Sequence, residues 1–541
     1  MSYDWILTDF STVLPAEKAS RAARPGIWQL ADYRTDELTG TLIMANPDVA
    51  APEIAITLPL QGRYEIYLGF FENFGDRLKL KLPSDRCYER LAPSQPFGTG
   101  PNFQDVYWRT LDLTGNEQIL IKQDGAFRAA VGYIMAKKVA DEPLQRHGRC
   151  LLHVTDDGFP SNWGKPDDHE DESWLVEPLM HLGCNYISLG IDICGLANYP
   201  TRHDSLRIPL QEILDNDVFA WEHAKLAVEL MLECEADGYQ VPKRYYELVQ
   251  QQGAQALGYS RMAHIHASPP YDAMYSTLYD AHQEYRCIDI SGVAVNRLSY
   301  AFPEVRQEFA KLFTEQVEMG ANGVNMVFVR GLPAVLYEEP VRARFQELYG
   351  EDCMQLPEND PRAQKVRMEF VTTFMREQRK ALDAAGSGRK INILVSVPAT
   401  REICEFYGLD IPTWIAEGLI DILCPYKFGI DAGAADLEMD FFCQMVQGTS
   451  VLLLPYINTW RDTAESCLQT AIDLMKYPIG GFSVWDAVSC IDRSRQTVFL
   501  SLGDAEAMQA ALEKIRAGAT HRYLITQDDT LVNKYHFGWN F

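Results

Sequence analysis

The sequence predicts an α/β protein, a (β/α)8 TIM barrel preceded by an N-terminal β-sandwich, on three observations. The chain up to about residue 145 alternates apolar and polar residues with a period near two. From Cys150 the texture changes to short apolar runs separated by polar loops and helical patterns. Those runs number eight, the count a (β/α)8 barrel needs, over roughly 350 residues.

Residues 1–145 are expected to form a jelly-roll-like sandwich. Arg63-Tyr64-Glu65-Ile66-Tyr67-Leu68, Leu78-Lys79-Leu80-Lys81-Leu82 and Gln118-Ile119-Leu120-Ile121-Lys122 each present one apolar face. Asn73, Gly75 and Asp76, then Gly98 to Pro101, then Asp124 and Gly125 supply the turns. Such a module binds carbohydrate in some proteins and is a structural lid in others.

Residues 146–490 are expected to form the barrel. Its strands are read at Leu151 to Thr155, Asn185 to Leu189, Gln255 to Tyr259, Val324 to Val329, Ile391 to Val397, Asp421 to Tyr426, Val451 to Tyr456 and Gly481 to Trp485. Helices are expected at Pro303 to Met319, with proline in the first turn, at Val341 to Leu348, and at Arg367 to Ala384. The long connections Asp192 to Gly253 and Arg261 to Tyr300 would build a cleft over the strand ends. Residues 491–541 carry one helical pattern, Gly503 to Ala517, and a polar, aromatic tail that would pack on the barrel or the sandwich. No G-x-G-x-x-G or G-x-x-x-x-G-K-[ST] loop supports the rival, a doubly wound nucleotide-binding sheet.

Composition narrows the function. Hydrophobic residues at 47% and charged residues at 23% are the balance of a globular protein, and 541 residues suffice for two or three cores. A formal charge of -26 opposes nucleic acid and anionic membranes as partners. The 12 cysteines form no C-x-x-C pair and several lie in apolar runs, so buried thiols and a reducing compartment are expected. The N-terminus shows no basic region followed by an apolar stretch, from which a cytoplasmic location is expected. No cofactor is expected, and the oligomeric state is left open, a homo-oligomer included.

Chemistry in a parallel α/β protein gathers at the carboxyl ends of strands. There the sequence offers His153, Asp156 and Asp157; Asp192; Arg261, His264 and His266; Arg330 with Glu338 and Glu339; Ser396 and Arg401; Tyr426 and Lys427; Tyr456, Asn458 and Trp460; Trp485 and Asp486. Aromatic rings stack on pyranose faces and charged groups bind hydroxyls, so the mixture suits sugar. Glycosidic cleavage needs one protonated and one ionised carboxyl group. Each candidate has a plainer competitor: Asp156 and Asp157 before Gly158 suit a turn, and Glu338 and Glu339 suit the first turn of a helix.

The segments YRCIDISGVAVNRLSYAFPEVRQEF, VLYEEPV and LPENDPRAQKVRMEFVTTFMREQRKALD resemble the family-10-like glycosyl hydrolases of bacteria. The resemblance spans about Cys150 to Cys490 and implies a barrel with carbohydrate-active hydrolase chemistry. It also implies a fourth strand of the form D-G-[IV]-[ED]-[LI]-D-[FW]-x-R. Here that run is Asn322 to Arg330, with Asn322, Asn325 and Val327 at the acidic positions and only the arginine kept. The seventh strand ends Tyr456-Ile457-Asn458, without a glutamate. Catalysis is therefore expected from Glu338 as general acid and Asp157 or Asp486 as nucleophile or base. Arg330, Glu339, Asp192, His264, His266, Lys427, Tyr456, Asn458, Trp460 and Trp485 would bind substrate. Two alternatives stand beside this glycoside hydrolase. One is a metal-dependent sugar isomerase or lyase using His264, His266 and Asp192; the other is a barrel that binds carbohydrate without catalysis.

Overall fold

The computed structural model describes residues 3–22, 24–71, 77–85, 88–92, 102–124, 127–139, 151–156, 176, 179–180, 182–193, 195–215, 222–263, 277–427, 437–459, 462–485, 498–516 and 521–523. They fall into two compact units, Met1–Gly148 with Arg461–Gln469 and Val488–Phe541, and Arg149–Trp460 with Thr470–Ala487.

The first unit holds an eight-stranded and a four-stranded sheet. Alternation sets which side chains face inward. Ile54, Ile56, Ile119 and Ile121 of the smaller sheet join Trp28, Ile43, Ile66 and Trp108 of the larger in one core. The C-terminal strand His521–Tyr523 pairs antiparallel with Asn102–Thr114. Arg522 is buried within this sheet, facing Asp105 at 3.5 Å and bonded to Glu37. A buried guanidinium without such partners would be strongly destabilising, so the pairing anchors the strand.

The second unit is an α/β assembly built on one parallel sheet. Its strands are Leu151–Asp156, Tyr186–Gly190, Gln255–Ser260, Gly323–Val327, Asn392–Pro398, Ile422–Tyr426, a seventh in two pieces (Leu452–Leu453 and Tyr456–Ile457), and Gly481–Trp485. Each of the first six pairs with its successor in the chain, and the eighth pairs with the first. The first piece of the seventh pairs with the sixth strand and its second piece with the eighth. Pro455 lies between the pieces and has no N–H, but its carbonyl accepts from Ser483 N at 3.0 Å. Long apolar runs form these strands because both faces are covered. Gly323 is required where the fourth and fifth strands start, since a Cβ there would lie 2.2 Å from the Asn392 carbonyl oxygen.

Two elements differ from expectation. The fourth strand stops at Val327, and Phe328–Arg330 coil into a 3-10 turn. The turn sends Phe328 against Phe374 and Trp414, at ring separations of 6.5 and 5.5 Å. The helix expected from Arg367 instead spans Pro361–Ala385. Asp360 caps it, accepting from Arg362 N at 2.8 Å, and Pro361 fits the first turn, where no intrahelical donor is needed. The connection after the second strand contains the helices Glu222–Asp237 and Val241–Gln251, and that after the third contains the hairpin Arg286–Ile288 with Ala294–Leu298.

Candidate functional site

Four aromatic side chains meet at the carboxyl ends of the parallel strands. Tyr259 is the penultimate residue of the third strand, Tyr426 ends the sixth, Tyr456 belongs to the seventh and Trp485 ends the eighth. Tyr426 and Tyr456 stack at 4.2 Å between centroids, 14° apart. Trp485 meets Tyr426 edge-on at 5.9 Å and Tyr259 at 5.6 Å. Arg330 closes the group, its guanidinium carbon 5.5 Å from the centre of the Trp485 ring. The 3-10 turn after the fourth strand delivers that arginine, and Gly331 lets the chain pass tightly. A Cβ at residue 331 would sit 2.3 Å from the carbonyl oxygen of Arg261. Tyr456 also donates its hydroxyl to Asn458 Oδ1 at 3.0 Å. Rings and a guanidinium together can hold the apolar faces and hydroxyls of a sugar.

Behind the rings lies a hydrogen-bonded belt on the same sheet face. His153 is wholly buried, with Nδ1 2.8 Å from Ser483 Oγ and Nε2 2.7 Å from Ser188 Oγ. Asn325 donates from Nδ2 to Ser188 Oγ at 3.3 Å and accepts from Ser396 Oγ at 3.2 Å. Ser483 Oγ is 2.7 Å from the Tyr426 hydroxyl, so the belt reaches the aromatic group. Burial pushes the His153 imidazole down to about 3, which keeps it neutral.

Glu338 has other company. Leu336 N donates to both of its carboxylate oxygens at 3.0 Å, and Ile288 N donates to Oε1 at 3.2 Å. The side chain is 1% exposed, and burial pushes its carboxyl up to about 7. Its hydrogen bonds tie the loop after the fourth strand to the hairpin Arg286–Leu298. Tyr337 N to Ile288 O at 2.9 Å strengthens that tie. Glu339 is exposed and is the first residue of the helix Glu339–Tyr349, where an acid suits the helix dipole.

Of the remaining expected site residues, Asp192 is half-buried and accepts from Gly195 N at 2.9 Å in a tight turn. Lys427 is exposed, directly after the sixth strand. Asp157, His264, His266, Trp460 and Asp486 lie outside the described residues. The structure thus brings together Arg330, Tyr456, Asn458 and Trp485 with Tyr426, also offered by its strand's end, and adds Tyr259 to them. Tyr259 could have been found from sequence as the last residue of the expected third strand. Ser396 was offered by the end of the expected fifth strand, whereas Ser188 and Ser483 carry no such signal. Among the described residues, no three His, Cys, Asp or Glu side chains come together as metal ligands, and no helix is long and apolar enough to cross a membrane.

No protein-family model matches the chain, and no curated protein matches it. Solved structures that it resembles are glycoside hydrolases of several kinds. The PgaB (BpsB) glycoside hydrolase domain from Bordetella bronchiseptica is 13% identical with a TM-score of 0.42, over 65% of this chain and 98% of that one. A cold-adapted β-galactosidase from Rahnella sp. R3 is 12% identical with a TM-score of 0.43, over 68% and 57%. The α-galactosidase from Thermus thermophilus is 12% identical with a TM-score of 0.34, over 87% and 94%.

Proposed function

We propose that the protein is a glycoside hydrolase acting on a poly- or oligosaccharide. The parallel sheet is read as a closed (β/α)8 barrel, and the two-sheet unit as a β-sandwich. What supports closure is the seventh strand, whose two pieces pair with the sixth and with the eighth. The observation that carries the function is Arg330 over Trp485, with Tyr259, Tyr426 and Tyr456, at the carboxyl ends of those strands. A pyranose ring stacks on the aromatic group while Arg330 and Asn458 bind its hydroxyls.

We assign the catalytic carboxylates to Asp157 and Asp486. The first and eighth strands pair in register, Thr155 opposite Trp485, and each acid follows within two residues of that pair in sequence. One acts as general acid, the other as nucleophile or base. Glu338, the other acid expected to be catalytic, holds the loop instead, because backbone N–H groups occupy both of its oxygens.

The test is a screen of the purified protein against aryl glycosides and polysaccharides with product detection. On any substrate found, Asp157→Asn and Asp486→Asn should each lower kcat by about 10²–10⁴-fold. Near-normal turnover in both variants sinks the assignment. A second reading has its own support: Asn325 and Val327 stand where acids were expected in the fourth strand. Tight glycan binding with no product released would favour a non-catalytic carbohydrate-binding barrel.

A further inference from the structure

We propose that Arg367 is the base of a second binding site, for a small oxyanion of the phosphate, sulfate or carboxylate kind. The site is held between the connections that follow the fourth and fifth strands, and it does not depend on the carbohydrate reading above.

Arg367 belongs to the helix Pro361–Ala385 and falls on its buried stripe with Val371, Phe374, Gln378 and Leu382. Its head does not reach water along the stem, since the residue is 0% exposed. Tyr337, in the connection after the fourth strand, has its ring centre 5.2 Å from the guanidinium carbon. Phe406, the last residue of the helix Arg401–Phe406, has its ring centre at 5.4 Å. Gly408 passes close to the long helix at this point, where a Cβ would lie 3.1 Å from the Arg367 Cβ. Ring faces attract the charge, but they supply no lone pairs for five N–H donors. Among the described residues, none of the three guanidinium nitrogens has a hydrogen-bond partner.

The other two buried arginines among the described residues make this an exception. Arg306 gives Nε and Nη2 to Glu377 at 2.7 and 3.0 Å, and Nη1 to the Tyr300 carbonyl oxygen at 2.9 Å. Arg522 pairs with Glu37 and faces Asp105. Around Arg367 the polar groups are committed elsewhere. The Tyr337 hydroxyl donates to the Glu358 carbonyl oxygen at 2.9 Å, and the Glu358 side chain belongs to an exposed residue. The Glu338 oxygens accept from Leu336 N and Ile288 N, and burial pushes that carboxyl up to about 7. Burial also pulls the Arg367 pKa down, yet a guanidinium keeps its proton.

An enclosed charge with no acceptor is strongly unfavourable, because desolvation goes uncompensated. An oxyanion supplies both missing elements together, a counter-charge and a pair of oxygens that match the guanidinium fork. Full burial also limits the ligand's size. Tyr337 or Phe406 has to draw back to admit it, and a small ion requires the least displacement.

Calorimetry and thermal unfolding of the full chain test the site at about pH 6, where Glu338 is mostly protonated. Sodium phosphate, sulfate and acetate are each titrated at constant ionic strength, with sodium chloride as the reference salt. At least one should bind saturably with one site per chain and raise Tm with the logarithm of its concentration. Which of the three does so separates phosphate, sulfate and carboxylate. Arg367→Met keeps the apolar stem and removes the fork, and should weaken that oxyanion at least about tenfold. Equal Tm in all four salts overturns the site, as does undiminished binding by folded Arg367→Met. If that variant does not fold, wild-type crystals soaked in sodium selenate decide. Anomalous density within hydrogen-bond distance of the Arg367 nitrogens supports the site, whereas water or a protein acceptor there overturns it. A failed glycoside screen leaves each of these outcomes unchanged.

Discussion

Replacing Glu338 by glutamine should abolish the pH dependence that this residue imposes on stability. The carboxyl is 1% exposed and is pushed up to about 7 from an ordinary 4.5, mainly by burial. Below pH 4.5 the acid is neutral in both folded and unfolded chains, and folding takes no penalty from it. Between 4.5 and 7 the unfolded chain releases the proton while the folded one keeps it, so stability falls as pH rises. At about 1.4 kcal/mol per unit, the loss reaches roughly 3 kcal/mol by pH 8.

Four groups around the carboxyl bear on this. Ile288 N and Leu336 N favour the ionised form, the Cys287 thiol lies beside it, and the Arg367 guanidinium feels its charge. Desolvation outweighs them. Glutamine at 338 cannot ionise, and its carbonyl oxygen can still accept from Ile288 N and Leu336 N. Urea unfolding of wild type and Glu338→Gln from pH 4.5 to 8.5 should show wild type losing about 3 kcal/mol relative to the variant over that range. A difference that stays flat refutes the reasoning. A difference that grows in favour of wild type would mean that Glu338 is folded as a carboxylate, stabilised by its N–H donors and Arg367. Turnover on any substrate found should survive the same substitution within a few-fold.

Arg330→Ala removes the cation over Trp485 and a hydroxyl-binding donor; calorimetry with a sugar that binds should show affinity down by about 1–2 kcal/mol, and an unchanged Kd would remove Arg330 from the site. Trp485→Ala empties a position 2% exposed between Tyr259 and Tyr426, and should lower unfolding free energy by about 3–5 kcal/mol, with Trp485→Phe retaining most of it. Gly331→Ala forces a Cβ against the Arg261 carbonyl and should cost about 1–3 kcal/mol, read by urea denaturation; no loss would show that the turn can open freely. Activity found in the screen should be indifferent to EDTA. Loss on chelation and recovery with a divalent cation would instead favour the isomerase or lyase alternative, with His264, His266 and Asp192 as ligands.

The parallel strands were legible because each is a mainly apolar run, interrupted in five of them by a belt residue, long enough to cross a sheet buried on both faces. Their ends were less so. Phe328 and Val329 continue the apolar run, yet the chain turns there, because Phe328 packs against Trp414 rather than the sheet. Pro455 sits inside the apolar run Val451 to Tyr456, and only the pairing of both flanks shows that the strand continues past it. The helix starts at Pro361, where Asp360-Pro361 is the cap and first-turn signal, ahead of the apolar spacing that begins near Arg367. The strand His521–Tyr523 is three residues long, below what periodicity can signal, and is held by the ion pairs of Arg522 with residues far away in the chain. Of the candidate site, the aromatic group and Arg330 could be inferred from strand ends. Glu338 could not be placed, because its fate depends on Ile288 in another connection.

Asn325 shows how one substitution can be read twice. Against the expected acidic strand, asparagine looks like a lost catalytic carboxylate. In the structure it is the amide that accepts from Ser396 and donates to Ser188, whose hydroxyl also lies 2.7 Å from His153 Nε2. A buried carboxylate would also have to be ionised beside a neutral imidazole, at a cost that desolvation makes large. Asn325 and the buried histidine thus share one hydrogen-bond partner, Ser188. If chemistry is carried by carboxylates in this protein, the proposal takes them from outside the belt, as Asp157 and Asp486, which follow Thr155 and Trp485 in sequence.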